Sequence, residues 1–261
     1  MEVTGGESAS WYEAVGDYVL KRKKPVGGFS ATPRLPPSIQ DTYHALRILT
    51  CLTAHGLDPA PLRDGPLRAY LTRTTPAERH DAKVTFQRLA GCRLAGEEVP
   101  VAPIRDFVRR RLTETDTLEE RYYCCRLLRE VAQLDDTECH WFPAPSTPWS
   151  FRTGSELWML LTLAHGKSPA AEALAAWLRA CQTYDGGFGF LPGTTSFMEN
   201  GYDCLRALRL LGNSPRDPEG CRAFVLACRT RYGGFARRHG ATAFLSSTWQ
   251  ALATLELLSR E

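Results

Sequence analysis

A Gly-Gly-Phe triplet recurs three times in this chain, at Gly27-Gly28-Phe29, Gly186-Gly187-Phe188 and Gly233-Gly234-Phe235. Few folds accommodate such a pattern. Two adjacent glycines permit positive φ at a helix C-terminus, so each triplet reads as a turn closing one helix. Each is preceded by a polar-faced helical segment (10–24, 169–183 and 217–231). A loop of about ten residues and a more apolar helix follow (39–55, 198–212 and 244–259). Leucines at 46, 49 and 52, and again at 205, 208 and 211, recur at helical spacing. No segment alternates with period two between turns, so strands are not expected. The unit is a helix pair, and self-similarity on this scale marks repeat architectures.

The triplets at 186 and 233 lie 47 residues apart, and those at 27 and 186 lie 159 apart, which leaves room for about three degenerate units. Helices are expected near 60–73, 77–93, 101–113, 117–133 and 153–165. Residues 134–152, with Pro143, Pro145 and Pro148, read as a proline-rich loop, a degraded turn or a lid. The helices on either side of it both look like inner ones, so one outer helix is expected to be missing. The terminal units are the best-formed copies and carry apolar, aromatic inner helices. An open solenoid would need polar caps there, so closure into a ring is favoured. The expected fold is all-α, an α/α toroid of about five to six helix pairs spanning 1–261 as one domain.

Composition excludes several classes. The net charge of +3 gives no reason to expect a nucleic-acid partner. The basic runs Lys21-Arg22-Lys23-Lys24 and Arg109-Arg110-Arg111 read as solvated helix ends. The nine cysteines are odd in number, irregularly spaced and mostly in apolar helical stretches, as reduced buried thiols are. No stretch approaches the ~20 apolar residues of a membrane span, and the first residues do not form a signal peptide, so a cytoplasmic protein is expected.

The segment Cys181-Gln182-Thr183-Tyr184-Asp185-Gly186-Gly187-Phe188-Gly189-Phe190-Leu191-Pro192-Gly193 resembles the repeat of protein prenyltransferase beta subunits. So does Gly234-Phe235-Ala236-Arg237-Arg238 with Trp249-Gln250-Ala251. Gln182 with Asp185-Gly186-Gly187-Phe188 is also similar to the repeat of squalene and terpene cyclases. The resemblance covers about two thirds of the chain. It implies inner and outer helix rings around a deep apolar cavity, an isoprenoid or polyene substrate that is transferred or cyclised, and a helical protein partner for the beta-subunit version. It also implies a catalytic zinc held by Asp, Cys and His. The family's Asp-x-Tyr-His run matches Asp41-Thr42-Tyr43-His44, but Ala243 and Leu245 stand where the other two ligands belong, so no cofactor is expected. Of the family's diphosphate cations only Arg238 is matched, with Arg237 and His239 as substitutes; Glu199 and Ala241 fill the other positions. The acid of the cyclases has its nearest counterparts in Ser38-Ile39-Gln40-Asp41-Thr42 and Leu134-Asp135-Asp136-Thr137, neither of which keeps the full motif.

In a toroid the N-terminal turns of the inner helices face one mouth of the cavity. Four residues there are candidates for acid–base chemistry: Asp41, His44, Glu199 and Asp203. Glu199 and Asp203 lie four apart on one helix face, where each carboxylate raises the other's pKa. Tyr43, Glu120, Tyr123, Glu156, Trp158, Tyr202, Arg238, His239, Thr248 and Trp249 are candidate substrate contacts, the aromatics suiting an apolar chain or a carbocation. Three readings stay open: an isoprenoid-handling enzyme, a non-catalytic toroid that binds a ligand or partner, and an enzyme of unrelated chemistry in the same cavity.

Overall fold

The computed structural model describes residues 5–73, 81–114, 117–135 and 151–259. Eleven α-helices make up the described part: α1 (Gly5–Leu20), α2 (Ile39–Thr53), α3 (Gly65–Thr72), α4 (Ala82–Leu94), α5 (Val101–Glu114), α6 (Leu118–Arg126), α7 (Gly154–Leu163), α8 (Ala171–Ala180), α9 (Met198–Leu210), α10 (Pro218–Ala227) and α11 (Leu245–Leu258). Among the described residues there is no strand. Isolated antiparallel bridges such as Gln182 with Phe188 and Arg229 with Phe235 pin the turns instead.

Helix starts follow local chemistry. Ser38, Asp64, Asp81, Thr117, Thr153 and Asp217 each accept a backbone N–H of the first turn that follows, filling donors that have no partner inside the helix. The segment expected as one helix over 60–73 is broken into a 3₁₀ turn, Ala60–Arg63, and α3. Pro66 lacks the N–H that would continue the ladder, and Asp64 caps the new start. The expected helix over 117–133 changes to a π turn at Leu127–Val131 and stops at Gln133, whose φ is 57°. The first residues of the expected 77–93 helix and most of the proline-rich loop lie outside the described residues.

Six inner helices close a ring in the order α2, α4, α6, α7, α9, α11 and back to α2. Outside it, α1 packs on α2, α3 on α4, α5 on α6, α8 on α9 and α10 on α11. α7 abuts α6 directly, and its start at Gly154 lies near Leu178 of α8. The glycine turns supply the closure. A Cβ on Gly27 would lie 2.0 Å from the Pro66 carbonyl oxygen of α3, and one on Gly186 2.1 Å from that of Gly220 in α10. On Gly233 it would lie 2.0 Å from that of Ala14 in α1. Each turn thus docks on the following outer helix, and the last one docks on the first helix. Phe29, Phe188 and Phe235 are fully buried beneath their turns. Each such burial contributes about 2 kcal/mol.

One basic run departs from its expected role. Arg111 is buried, not solvated, and its guanidinium pairs with Glu120 at 3.0 Å and Glu114 at 3.1 Å. α5 lies with that edge against the start of α6, so the side chain cannot reach bulk water.

Candidate functional site

The N-terminal turns of the six inner helices surround a cavity of about 290 Å³ at one mouth of the ring. Its walls include Tyr43 and His44 from α2, Tyr123 from α6, Trp158 from α7, Tyr202 and Asp203 from α9, and Trp249 from α11. These seven of the sequence candidates are brought together. Aromatic edges interlock around the wall: Tyr43 meets Phe86, Phe86 meets Tyr123, and Trp158 meets Tyr202 at 5.6 Å.

The other seven sit elsewhere. Asp41 accepts the Ser38 hydroxyl at 2.7 Å while its own N–H donates to that hydroxyl, a first-turn cap on α2. Glu120 pairs with Arg111. Glu156 accepts the Arg152 N–H at 2.6 Å. Glu199 forms an ion pair with Arg237. Arg238 is exposed, and so is His239, whose Nδ1 lies 3.0 Å from the Ala227 carbonyl. Thr248 is fully buried, and its hydroxyl accepts the Phe235 N–H at 3.0 Å.

The walls also hold Gln40 and Gln250, from segments the resemblance touched, and polar side chains that it did not point to: Arg47, Lys83, Gln87, Glu119, Arg126, Ser155 and Ser246. The resemblance implies an apolar lumen; at this mouth the lumen is amphipathic. The signal for the arginines was in the sequence. Tyr43 with Arg47, Tyr122 with Arg126 and Tyr202 with Arg206 are tyrosine–arginine pairs spaced four residues apart on inner helices. Past the mouth, Arg47 and Trp249 also line a larger basin of about 720 Å³, walled by Trp11, Tyr12, Leu226, Leu252 and Leu255.

Two titratable groups at the mouth are shifted from their ordinary ranges. Burial pushes the Asp203 carboxyl up to about 7. The Ser155 hydroxyl opposes this, Glu199 adds to it, and Arg206 and Lys83 oppose it. Asp203 is therefore a carboxylic acid that still holds its proton over much of the neutral range. Burial, then Arg47 and Lys83, push His44 down to about 4, so it is a neutral imidazole at neutral pH. Two buried polar atoms that line this space, His44 Nδ1 and Trp158 Nε1, have no hydrogen-bond partner. Buried polar atoms are nearly always paired, and the lack of a partner here is among the described residues.

The implied zinc does not suit this donor set. Ala243 and Leu245 offer no ligand atom. The charges nearest His44 are cations, and among the described residues no three His, Cys, Asp or Glu side chains converge. Among the described residues, too, no helix is long and apolar enough to cross a membrane.

The sequence profile of the prenyltransferase alpha-alpha toroid domain matches residues 4–93, 153–219 and 204–261. A comparison with curated proteins gives no match. The matched segments cover well over half of the chain and coincide with the units that carry the three glycine turns. With the closed double ring of helices, they make this chain a member of the prenyltransferase alpha-alpha toroid domain family.

Proposed function

We propose that this toroid is an isoprenoid-handling enzyme that transfers or cyclises a prenyl or polyene substrate, with Asp203 donating the proton that starts cyclisation by adding to an alkene carbon. The observation that carries this reading is the Asp203 carboxyl set inside a wall of five aromatic rings, where desolvation pushes it up to about 7. An acid that keeps its proton near neutral pH can protonate a weakly basic centre. The rings of Tyr43, Tyr123, Trp158, Tyr202 and Trp249 offer π faces to the cation that forms. After proton transfer the new carboxylate accepts the Ser155 hydroxyl and faces Arg206 and Lys83, which hold the negative charge. The apolar remainder of the substrate has the larger basin beyond Trp249 to occupy. Neutral His44, with its unpartnered Nδ1, is placed to take a proton back at the end of the reaction.

The test is turnover of a panel of polyenes and allylic substrates. Wild-type kcat should fall as pH rises through about 7, the acid form being the active one. Asp203→Asn should abolish turnover and leave substrate binding in place. Unchanged kcat in Asp203→Asn, or no turnover of any member of the panel by the wild type, would refute the reading.

A second reading is a ligand-binding module without catalysis. The polar wall favours it, since Lys83, Glu119 and Arg126 give the mouth more charge than an apolar chain needs. Binding of a panel member with no conversion would establish that alternative.

A further inference from the structure

The inner ring also alternates in where its arginines stand. α2, α6 and α9, every second inner helix, each carry a tyrosine followed four residues later by an arginine: Arg47, Arg126 and Arg206. The helices between them, α11, α4 and α7, carry Trp249, Phe86 and Trp158 facing the lumen side. Each arginine lies on the ring of the helix before it in the circle. Arg47 sits 4.0 Å over Trp249, Arg126 4.0 Å over Phe86 and Arg206 5.2 Å over Trp158. Three guanidiniums on alternate inner helices are therefore each stacked over an aromatic ring of the neighbouring inner helix. A stacked guanidinium keeps its N–H edge free to meet an oxyanion and loses little freedom when it does.

The three are not equally satisfied. Arg126 donates two hydrogen bonds to Glu130, at 2.6 and 2.8 Å. Glu130 is carried on the π turn Leu127–Val131, a distortion that is often found at functional sites. Burial opposes ionisation of this carboxyl, but Arg126, with Arg47 and Arg206 around it, holds it below the usual range. Arg47 and Arg206 have no such partner. Of five N–H donors, each gives one hydrogen bond among the described residues, to Tyr43 at 2.8 Å and Tyr202 at 3.1 Å. They share a small cavity of about 140 Å³ with Glu256, which is exposed at its rim. Glu130 is hydrogen-bonded by Arg126 alone, and the unused donors among the described residues are concentrated on Arg47 and Arg206.

We infer that Arg47 and Arg206 form an anion subsite inside the lumen that binds a small dianionic oxyanion, a phosphate or a dicarboxylate, with Glu130 as its built-in competitor. The guanidinium forks match the paired oxygens of either group. Two negative charges are required because Glu130 and Glu256 already screen part of the field. The subsite shares Arg206 with the surroundings of Asp203, but its test reads anion binding and not turnover, so it holds whether or not the protein turns over a polyene.

Isothermal titration calorimetry of the full chain at low ionic strength tests this with inorganic phosphate, succinate and acetate. At least one dianion should bind one to one, and acetate should bind far more weakly. Phosphate without succinate assigns a phosphoryl ligand, and succinate without phosphate assigns a dicarboxylate. Arg47→Gln and Arg206→Gln should each weaken binding about tenfold, the loss of one charge-assisted contact. Glu130→Gln should tighten it, and this variant also serves if either arginine variant fails to fold. No binding of either dianion to folded wild type would overturn the inference. So would acetate binding as tightly as the dianions, or Glu130→Gln binding no better than wild type.

Discussion

Gly233→Ala is expected to open the ring at its seam. Gly233 sits at φ 97°, a region that side chains rarely adopt, and its Cβ would fall 2.0 Å from the Ala14 carbonyl oxygen and 2.7 Å from its carbon. Both atoms are backbone of α1, so no rotamer change relieves the contact. Gly240 is the matched control. Its φ is 73°, and a Cβ there meets nothing within 4 Å. Gly240→Ala should therefore lose only the conformational term, about 1 kcal/mol. Gly233→Ala should lose that and a further ~2 kcal/mol for pushing α1 off the last turn. Urea unfolding followed by far-ultraviolet circular dichroism gives both values, and equal m-values would show that the unfolded states match. The loss should be local first. Amide exchange should rise in α1 of Gly233→Ala before it rises in α9, whose turn is untouched. The reasoning fails if the two variants are equally stable to within roughly 0.5 kcal/mol. It also fails if α1 exchanges no faster than the rest of the ring.

Two further outcomes follow from charged groups. Arg111→Ala should destabilise the fold by about 3 kcal/mol, since it strands the Glu120 carboxylate against α5, with Arg111→Lys recovering only part; thermal melts compare the three. The pH dependence of stability should change sign with Asp203. Its carboxyl titrates near 7 folded against 3.8 ordinarily, so the folded state binds the extra proton and stability falls as pH rises between those values, by up to about 4 kcal/mol. His44 acts in the opposite direction, near 4 folded against 6.5, so the unfolded state binds the extra proton and stability rises with pH between 4 and 6.5. Wild type should show a shallow net slope. Asp203→Asn should gain stability relative to wild type from pH 4 to 7 and then level off, and calorimetric scans at pH 5, 6.5 and 8 check this. A difference that is flat in pH would mean the carboxyl is not desolvated.

The helix pairs and the ring were readable because each depends on local signals: glycine turns, caps and leucine spacing. The mouth was only partly readable. Tyr43, His44, Trp158, Tyr202, Asp203 and Trp249 could be placed there by counting along inner helices. Lys83 and Glu119 could not, because neither stands at the repeated aromatic position nor belongs to a tyrosine–arginine pair. Asp41, Glu156 and Glu199 were candidates as first-turn carboxylates, and the sequence does not say whether such a group caps its own helix or points inward. Here they bond to Ser38, Arg152 and Arg237.

Counting from the turn phenylalanine shows how one repeat separates structure from chemistry. Thirteen residues after Phe29 and Phe235 stand Thr42 and Thr248 (29 + 13 and 235 + 13), and each hydroxyl accepts the N–H of its own phenylalanine, at 2.9 and 3.0 Å. That position faces back to the turn, so Thr248 is fixed by the fold. Fourteen residues after Phe29, Phe188 and Phe235 stand Tyr43, Tyr202 and Trp249, an aromatic each time, and all three line the mouth. One step further stand His44, Asp203 and Gln250, which line the same cavity with three different chemistries: a neutral base, a protonated acid and an amide. The register that buries the threonine and repeats the aromatic leaves this next position turned to the lumen with no packing duty in common. The fold constrains it least, and that freedom is where this toroid can differ from others built on the same turns.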